Sequence, residues 1–128
     1  MQADTAMQVD VRVLKKIYAA LDRARKKRRT VTYGDCARTA DRGGAQWVYK
    51  HLWLIGLYCL ENGRACLNTM ARRWDSKAGS GTLTTNGRPP ADEMLAVCAP
   101  TFRPLRAPTR VEIEALWKKH VKKKHVKK

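Results

Sequence analysis

The order of helical and extended patterns in this 128-residue chain predicts an α+β, mainly α, fold. The predicted class is a winged helix-turn-helix domain with a short β-hairpin wing and a basic C-terminal helix and tail. Three helical patterns come first, two short β-branched segments follow, and a lysine-rich stretch ends the chain. The length suffices for one compact core. We expect a disordered segment over 1–9, the domain over 10–87, a connector with a short helix over 88–107, and the basic helix and tail over 108–128.

The first helix begins after Asp10, a residue type that caps helix N-termini. Its apolar residues recur every three or four positions and make one stripe: Val11, Leu14, Ile17, Tyr18 and Leu21. Its end holds six cations in seven positions. Cations suit the negative end of a helix dipole, but this number exceeds what capping requires. We therefore expect nucleic-acid contacts from Arg25, Lys26, Lys27, Arg28 and Arg29.

The helix-turn-helix is predicted from a capping-box pattern, a glycine-containing turn and a long apolar helix. Thr32 and Asp35 have the capping-box spacing, which predicts a short helix through Ala40. Residues 41–44 then form the turn, and the third helix runs from about Ala45 until Asn62-Gly63 ends it.

The N-terminal part of that third helix is the predicted contact surface, because recognition helices present this part to a groove. Its apolar face is set by Val48, Leu52 and Ile55. The remaining faces hold Gln46, Tyr49 and Lys50, with Tyr33 at the same edge. Trp53 is expected in the core, whereas the position of Trp47 stays open.

The wing is predicted from two strands around a glycine-rich loop. Residues 66–74 give the first strand, with Met70 and Trp74 on one side, and residues 82–85 give the second. The flanking cations Arg72, Arg73 and Lys77 either contact phosphates or protect a solvated hairpin edge. We favour phosphate contact.

The C-terminal region is predicted to hold a short helix over 91–98 and a last helix from near Pro108. This last helix packs through Val111, Ile113, Leu116 and Trp117. Beyond the packed residues the lysine-rich tail should be disordered when free and should bind polyanions without reading sequence. The tail cations assigned to that role are Lys118, Lys119, Lys122, Lys123 and Lys124.

The charge favours a nucleic-acid partner over other classes. Lys and Arg number 27 against 11 acidic residues, which gives a formal charge of +16. Such an excess is typical of a nucleic-acid-binding protein, although a solubilising surface is the simpler alternative. The chain has no apolar run long enough to span a membrane. We expect a cytoplasmic protein, nucleoid-associated if bacterial.

No catalytic, metal-binding or cofactor-binding motif stands out. There is no phosphate-binding loop and no paired-carboxylate motif. The cysteines are Cys36, Cys59, Cys66 and Cys98, and none lies in a CxxC pair of the kind that holds zinc. We expect reduced core or near-core thiols, no metal, no cofactor and no enzymatic activity.

A family resemblance adds to this interpretation. The segment Val31-Thr-Tyr-Gly-Asp-Cys-Ala37, the turn at Gly43-Gly44 and the following helix resemble the DNA-binding domain of alkyltransferase-like proteins and a broader set of small bacterial winged-helix proteins. The resemblance covers residues 31–83. It implies DNA binding, with Tyr33 as a contacting tyrosine. It also places Gln46 where repair alkyltransferases carry an arginine that enters the base stack. Cys66 lies near the position of the family's reactive cysteine, but the Pro-Cys-His-Arg motif is absent.

The leading functional hypothesis is therefore binding of double-stranded DNA, sequence-specific or sequence-tolerant, without catalysis. Two alternatives stay open. One is an adaptor or inhibitor, of the type carried by mobile elements, that binds a larger nucleoprotein complex. The other is an RNA-binding accessory factor.

Overall fold

The computed structural model describes residues 9–40, 45–73 and 82–126, with side chains over 9–38, 48–73 and 82–120. The predicted mainly helical α+β class is confirmed. The helices are α1 Val11–Lys26, α2 Tyr33–Ala40, α3 Ala45–Glu61, α4 Pro90–Cys98 and α5 Arg110–Val126. The strands are β1 Val31–Thr32 and β2 Ala71–Arg72.

Helix α1 begins as its sequence predicts. The Asp10 carboxylate accepts hydrogen bonds from the backbone N–H groups of Arg12 at 2.9 Å and Val13 at 3.3 Å. These bonds satisfy donors that have no partner within the helix. The predicted apolar stripe is buried, and Leu14, Ile17 and Leu21 are fully inaccessible. That stripe packs α1 against α2, α3 and the segment Leu67–Met70.

Helices α2 and α3 also follow their local signals. Thr32 and Asp35 form the predicted capping box, since each backbone N–H donates to the other residue's side chain at 3.0–3.1 Å. Helix α3 has the predicted bounds and supplies much of the core, with Val48, Leu54 and Ile55 almost inaccessible. Two residues after its end lies Gly63, whose φ of +68° is in the left-handed region.

The predicted strands of the wing are wrong. Within residues 66–74, Leu67–Met70 is a 3₁₀ helix and only Ala71–Arg72 is extended. Those two residues pair in parallel with β1, in the register Val31 with Ala71 and Thr32 with Arg72. The other predicted strand, 82–85, contains no strand residue and leads into the 3₁₀ turn Thr85–Gly87. The predicted hairpin loop, with Trp74, lies outside the described residues.

A buried carboxylate explains why these segments are not strands. Glu93 of α4 is inaccessible and accepts hydrogen bonds from the backbone N–H of Cys66 at 2.7 Å and of Thr85 at 3.0 Å. It also accepts the Thr85 hydroxyl at 2.7 Å, and its other oxygen binds the Arg88 guanidinium at 2.6 Å. The carbonyl of Leu83 accepts a hydrogen bond from the Asn68 side-chain amide at 3.3 Å. Backbone groups that a hairpin needs are therefore bound to side chains.

The predicted short helix after residue 90 is confirmed as α4, and the connector after it is ordered. The hydroxyls of Tyr18 and Tyr58 donate to the carbonyls of Leu105 and Arg106, both at 2.7 Å. These two bonds fix the connector across α1 and α3, so it is more than a loose link.

Helix α5 differs from its prediction at both ends. Ile113, Leu116 and Trp117 are buried as expected, but Val111 is 74% exposed and does not pack on the body. Val111 lies in the first turn, before the face set by Ile113 and Trp117 meets α3. The backbone of the tail also differs from the predicted disorder, because α5 continues as a helix through Val126. Most residues after Trp117 are good helix formers, so they extend a helix already nucleated by packing.

Candidate nucleic-acid interface

The C-terminal end of α1 presents three consecutive exposed cations, Lys27, Arg28 and Arg29. We call residues 27–29 the basic turn. None of the three side chains has an acidic partner in the described part of the chain. The described structure therefore leaves these three charges exposed to solvent, and the predicted contact with nucleic acid stays a prediction.

The backbone of the basic turn is fixed by hydrogen bonds. The N–H of Arg29 donates to the carbonyl of Ala24 at 2.9 Å, and the N–H of Arg28 donates to the carbonyl of Arg25 at 3.1 Å. This is a Schellman motif, in which the residue after the helix cap takes a left-handed conformation. Here that residue is Arg28, with a φ of +56°.

The other two predicted cations of this helix end are engaged within the protein. Arg25 donates through Nε to Asp22 at 2.7 Å, and its guanidinium lies 4.9 Å from the centre of the Phe102 ring. Only 11% of its side chain is exposed. Lys26 lies 3.4 Å from the second oxygen of Asp22 but stays largely exposed. Arg25 was predicted to contact nucleic acid, but in this structure its guanidinium is mostly buried and engaged by Asp22 and Phe102.

The N-terminal part of α3 exposes two of its predicted contact residues. Tyr49 is 40% exposed, and Lys50 is exposed beside it. Tyr33, at the start of α2, is buried, and its ring centre lies 5.0 Å from that of Tyr49. Tyr33 therefore holds Tyr49 rather than meeting solvent itself, which corrects its predicted role as a direct contact. Gln46 lies in the first turn of α3, but its side chain is outside the described residues.

The predicted wing cations separate into one exposed and one buried residue. Arg73 is exposed, whereas Arg72 is only 9% exposed. One terminal nitrogen of Arg72 lies 3.4 Å from the Met94 sulfur, and its Nε has no partner. The phosphate-contact prediction for Arg72 is corrected, because the pairing of β2 with β1 holds this residue against α4. Lys77 lies outside the described residues.

The basic C-terminal helix is anchored by a charge contact with α3. Lys118 and Lys119 are exposed, and the Lys119 ammonium lies 2.7 Å from the Glu61 carboxylate. Hydrogen bonding from Lys119 lowers the pKa of Glu61, and His120 adds to the effect. Trp53 was expected in the core but is only half-buried, packed against the core, and it meets the Trp117 ring edge-on at 6.3 Å. Lys122, Lys123 and Lys124 belong to the same helix, with side chains outside the described residues.

A cavity lined by aromatic side chains lies beside the N-terminal part of α3, but its volume is only about 40 Å³. Its walls include Tyr33, Tyr49, Trp53 and Asn68. The Asn68 Oδ1 atom is buried without a partner and fits against α3 because residue 56 is glycine, whose added Cβ would lie 2.9 Å away. A benzene-binding cavity measures about 150 Å³, so the present space accommodates water and not an extruded base.

The four cysteines are free thiols, and Cys36, Cys59 and Cys66 are buried. Burial raises the pKa of Cys36 to about 12 and that of Cys59 to about 11. Burial also raises the pKa of Cys66, and the neighbouring Glu93 carboxylate raises it further. A nucleophilic cysteine needs the opposite shift. The expectation that Cys66 is not a catalytic residue stays a prediction.

The chain matches no family model, no curated protein and no solved structure. The resemblance to alkyltransferase-like proteins therefore rests only on the sequence motifs described above, and it stays a prediction. Within the described residues, no helix is both long and apolar enough to cross a membrane. The same residues contain no cluster of three or more histidine, cysteine or acidic side chains placed to hold a metal ion.

Proposed function

We propose that the protein binds double-stranded DNA through phosphate contacts, without catalysis. The observation that carries this proposal is the basic turn, where Lys27, Arg28 and Arg29 stand exposed without acidic partners in the described structure. Cations that neutralise phosphates release condensed counterions, which drives binding. A net charge of +16 supplies the long-range attraction.

In this proposal α2 and α3 act as the helix-turn-helix. Helices α2 and α3 pack against each other, and the N-terminal part of α3 exposes Tyr49 and Lys50. That part of a recognition helix enters the major groove in helix-turn-helix proteins. Arg73, which directly follows β2, contacts the DNA backbone that flanks the groove. The exposed lysines of α5 add affinity that does not depend on sequence.

Salt dependence tests the proposal. Fluorescence anisotropy with a labelled duplex of about 30 base pairs, titrated at several salt concentrations, gives the slope of log affinity against log salt. We expect a slope of about −0.9 for each phosphate neutralised. Single-stranded DNA and RNA of the same sequence serve as comparison probes. A flat salt response, or clearly tighter binding to RNA, would overturn binding to duplex DNA as the function.

A further inference from the structure

Helices α1 and α3 end in the same backbone motif, but the residue in the left-handed conformation is unusual at the end of α1. At the end of α3 the N–H of Arg64 donates to the carbonyl of Cys59 at 2.9 Å, and the N–H of Gly63 donates to the carbonyl of Leu60 at 3.1 Å. The corresponding bonds at the end of α1 have the same lengths. The left-handed residue is Gly63 in one case and Arg28 in the other.

An arginine is a poor choice for this conformation. A left-handed backbone places Cβ close to the following carbonyl oxygen, and glycine avoids this contact because it has no Cβ. Non-glycine residues found there are usually asparagine or aspartate, whose short side chains hydrogen-bond locally. Arg28 has neither advantage, so the fold alone would favour another residue.

Apart from the favourable placement of a cation at a helix C-terminus, the Arg28 side chain makes no contact that would offset this backbone cost in the described structure. It is exposed and forms no ion pair or hydrogen bond in the described structure. Its neighbours Lys27 and Arg29 carry the same charge, so mutual repulsion also disfavours the arrangement. A residue that is unfavourable for the backbone and has no side-chain partner among the described residues indicates a role in binding.

The turn is held in place before any ligand arrives. The Arg28 N–H donates to the Arg25 carbonyl and the Arg29 N–H donates to the Ala24 carbonyl, while the Arg25 side chain is itself fixed by Asp22 and the Phe102 ring. A rigid turn loses little conformational entropy when an anion binds to it. A guanidinium offers paired donors whose geometry matches two phosphate oxygens, which a lysine ammonium does not.

We infer that the basic turn is a preformed phosphate site and that Arg28 is its principal anion-binding residue. The ligand is a backbone phosphodiester of duplex DNA, held by the Arg28 guanidinium and flanked by Lys27 and Arg29. This inference rests on the proposed function and deepens it. It assigns the phosphate site to the end of α1, apart from the helix-turn-helix face.

The test is the variant Arg28→Gly, because glycine suits the backbone conformation and removes only the side chain. Affinity for the 30-base-pair duplex and the urea midpoint of unfolding are measured for the same preparation. We expect the urea midpoint to rise, duplex affinity to fall about tenfold, which is the loss of one charge-assisted contact, and the salt slope to shrink by about 0.9. Arg28→Lys should recover only part of the affinity, because the ammonium cannot bind two oxygens in parallel.

Lys16→Ala is the matched control, since Lys16 is an exposed cation of α1 without an acidic partner in the described structure. It removes the same charge and should lower affinity less than about twofold, by the general field alone. Equal losses in Arg28→Gly and Lys16→Ala, or a lower urea midpoint in Arg28→Gly, would overturn the inference. A wild-type protein that binds no duplex would instead refute the proposed function, so the two failures are distinguishable.

Discussion

Glu93 and the basic turn differ in where their charges lie: the carboxylate is buried, whereas the cations are exposed. The Glu93 carboxylate is inaccessible, and its oxygens accept hydrogen bonds from Cys66, Thr85 and Arg88. The cations of the basic turn are exposed and have no acidic partner among the described residues. The first group joins α4 to two segments that precede it, whereas the side chains of the second form no ion pair within the described part of the chain.

This difference separates charges that maintain the fold from charges that await a ligand. Removing a satisfied buried carboxylate leaves donors without partners, so stability falls. Removing an exposed unpaired cation leaves no donor unsatisfied, so stability is kept or improved while affinity for an anion falls. The two regions thus predict opposite consequences for the same kind of substitution.

The largest effect is expected for Glu93→Ala. The substitution leaves the Cys66 and Thr85 N–H groups and the Arg88 guanidinium without their acceptor. We expect the free energy of unfolding to fall by about 3 kcal/mol, as for other buried pairs that lose one partner. Urea denaturation followed by circular dichroism measures this loss.

The control for Glu93→Ala is Asp92→Ala, which removes the exposed acid next to it in α4. This substitution should change stability by less than about 0.5 kcal/mol. Comparable stability of the two variants would show that the Glu93 hydrogen bonds do not hold the segments together.

Acid should weaken the fold through the same carboxylate. Burial by itself raises the pKa of Glu93, but the hydrogen bonds from Thr85 and the Cys66 amide outweigh it, so the pKa is lowered from its model-compound value of 4.5. A lowered pKa stabilises the folded state above pH 4.5, and this contribution is lost as the pH falls through the folded value.

Unfolding midpoints measured between pH 7 and pH 3 should therefore decline below about pH 4.5. Glu93→Gln should show a shallower decline, because one fewer group takes up a proton on unfolding. Glu112, whose pKa is lowered to about 2 by Arg106, continues the decline to lower pH in both proteins. An identical pH dependence in wild type and Glu93→Gln would contradict the assignment.

Elements with local signals were predictable from the sequence, and elements made by distant contacts were not. The caps at Asp10 and Thr32 and the end of α3 at Gly63 lie within a few residues of the atoms they bind. The predicted hairpin failed because its backbone groups are bound by Asn68 and Glu93, and no local pattern places Glu93 beside Cys66, 27 residues earlier in the chain.

The candidate site shows the same division. Lys50 is exposed as predicted, because the apolar periodicity of α3 fixes which of its residues face outward, and Lys27 and Arg73 are exposed as well. The burial of Tyr33 and Arg72 depends on contacts with Tyr49 and with Met94 of α4, which one sequence does not reveal. The left-handed Arg28 was also unforeseen, since glycine is the residue that signals such a cap.

The smallest expected effect comes from exchanging the residues at the two helix ends. A Cβ added at Gly63 meets no atom within 4 Å, so Gly63→Arg tests the backbone conformation without a steric clash at Cβ. We expect Gly63→Arg to destabilise the protein by about 1 kcal/mol and Arg28→Gly to stabilise it by a similar amount. The double exchange should then approach wild-type stability, because the two turns lie at the ends of different helices and such effects add. Gly63→Ala separates the conformational effect from that of the added charge. Duplex affinity should follow Arg28 alone, so the double exchange should bind as weakly as Arg28→Gly. If Gly63→Arg were as stable as wild type, the left-handed position would carry no penalty, and Arg28 would no longer mark a residue retained for binding.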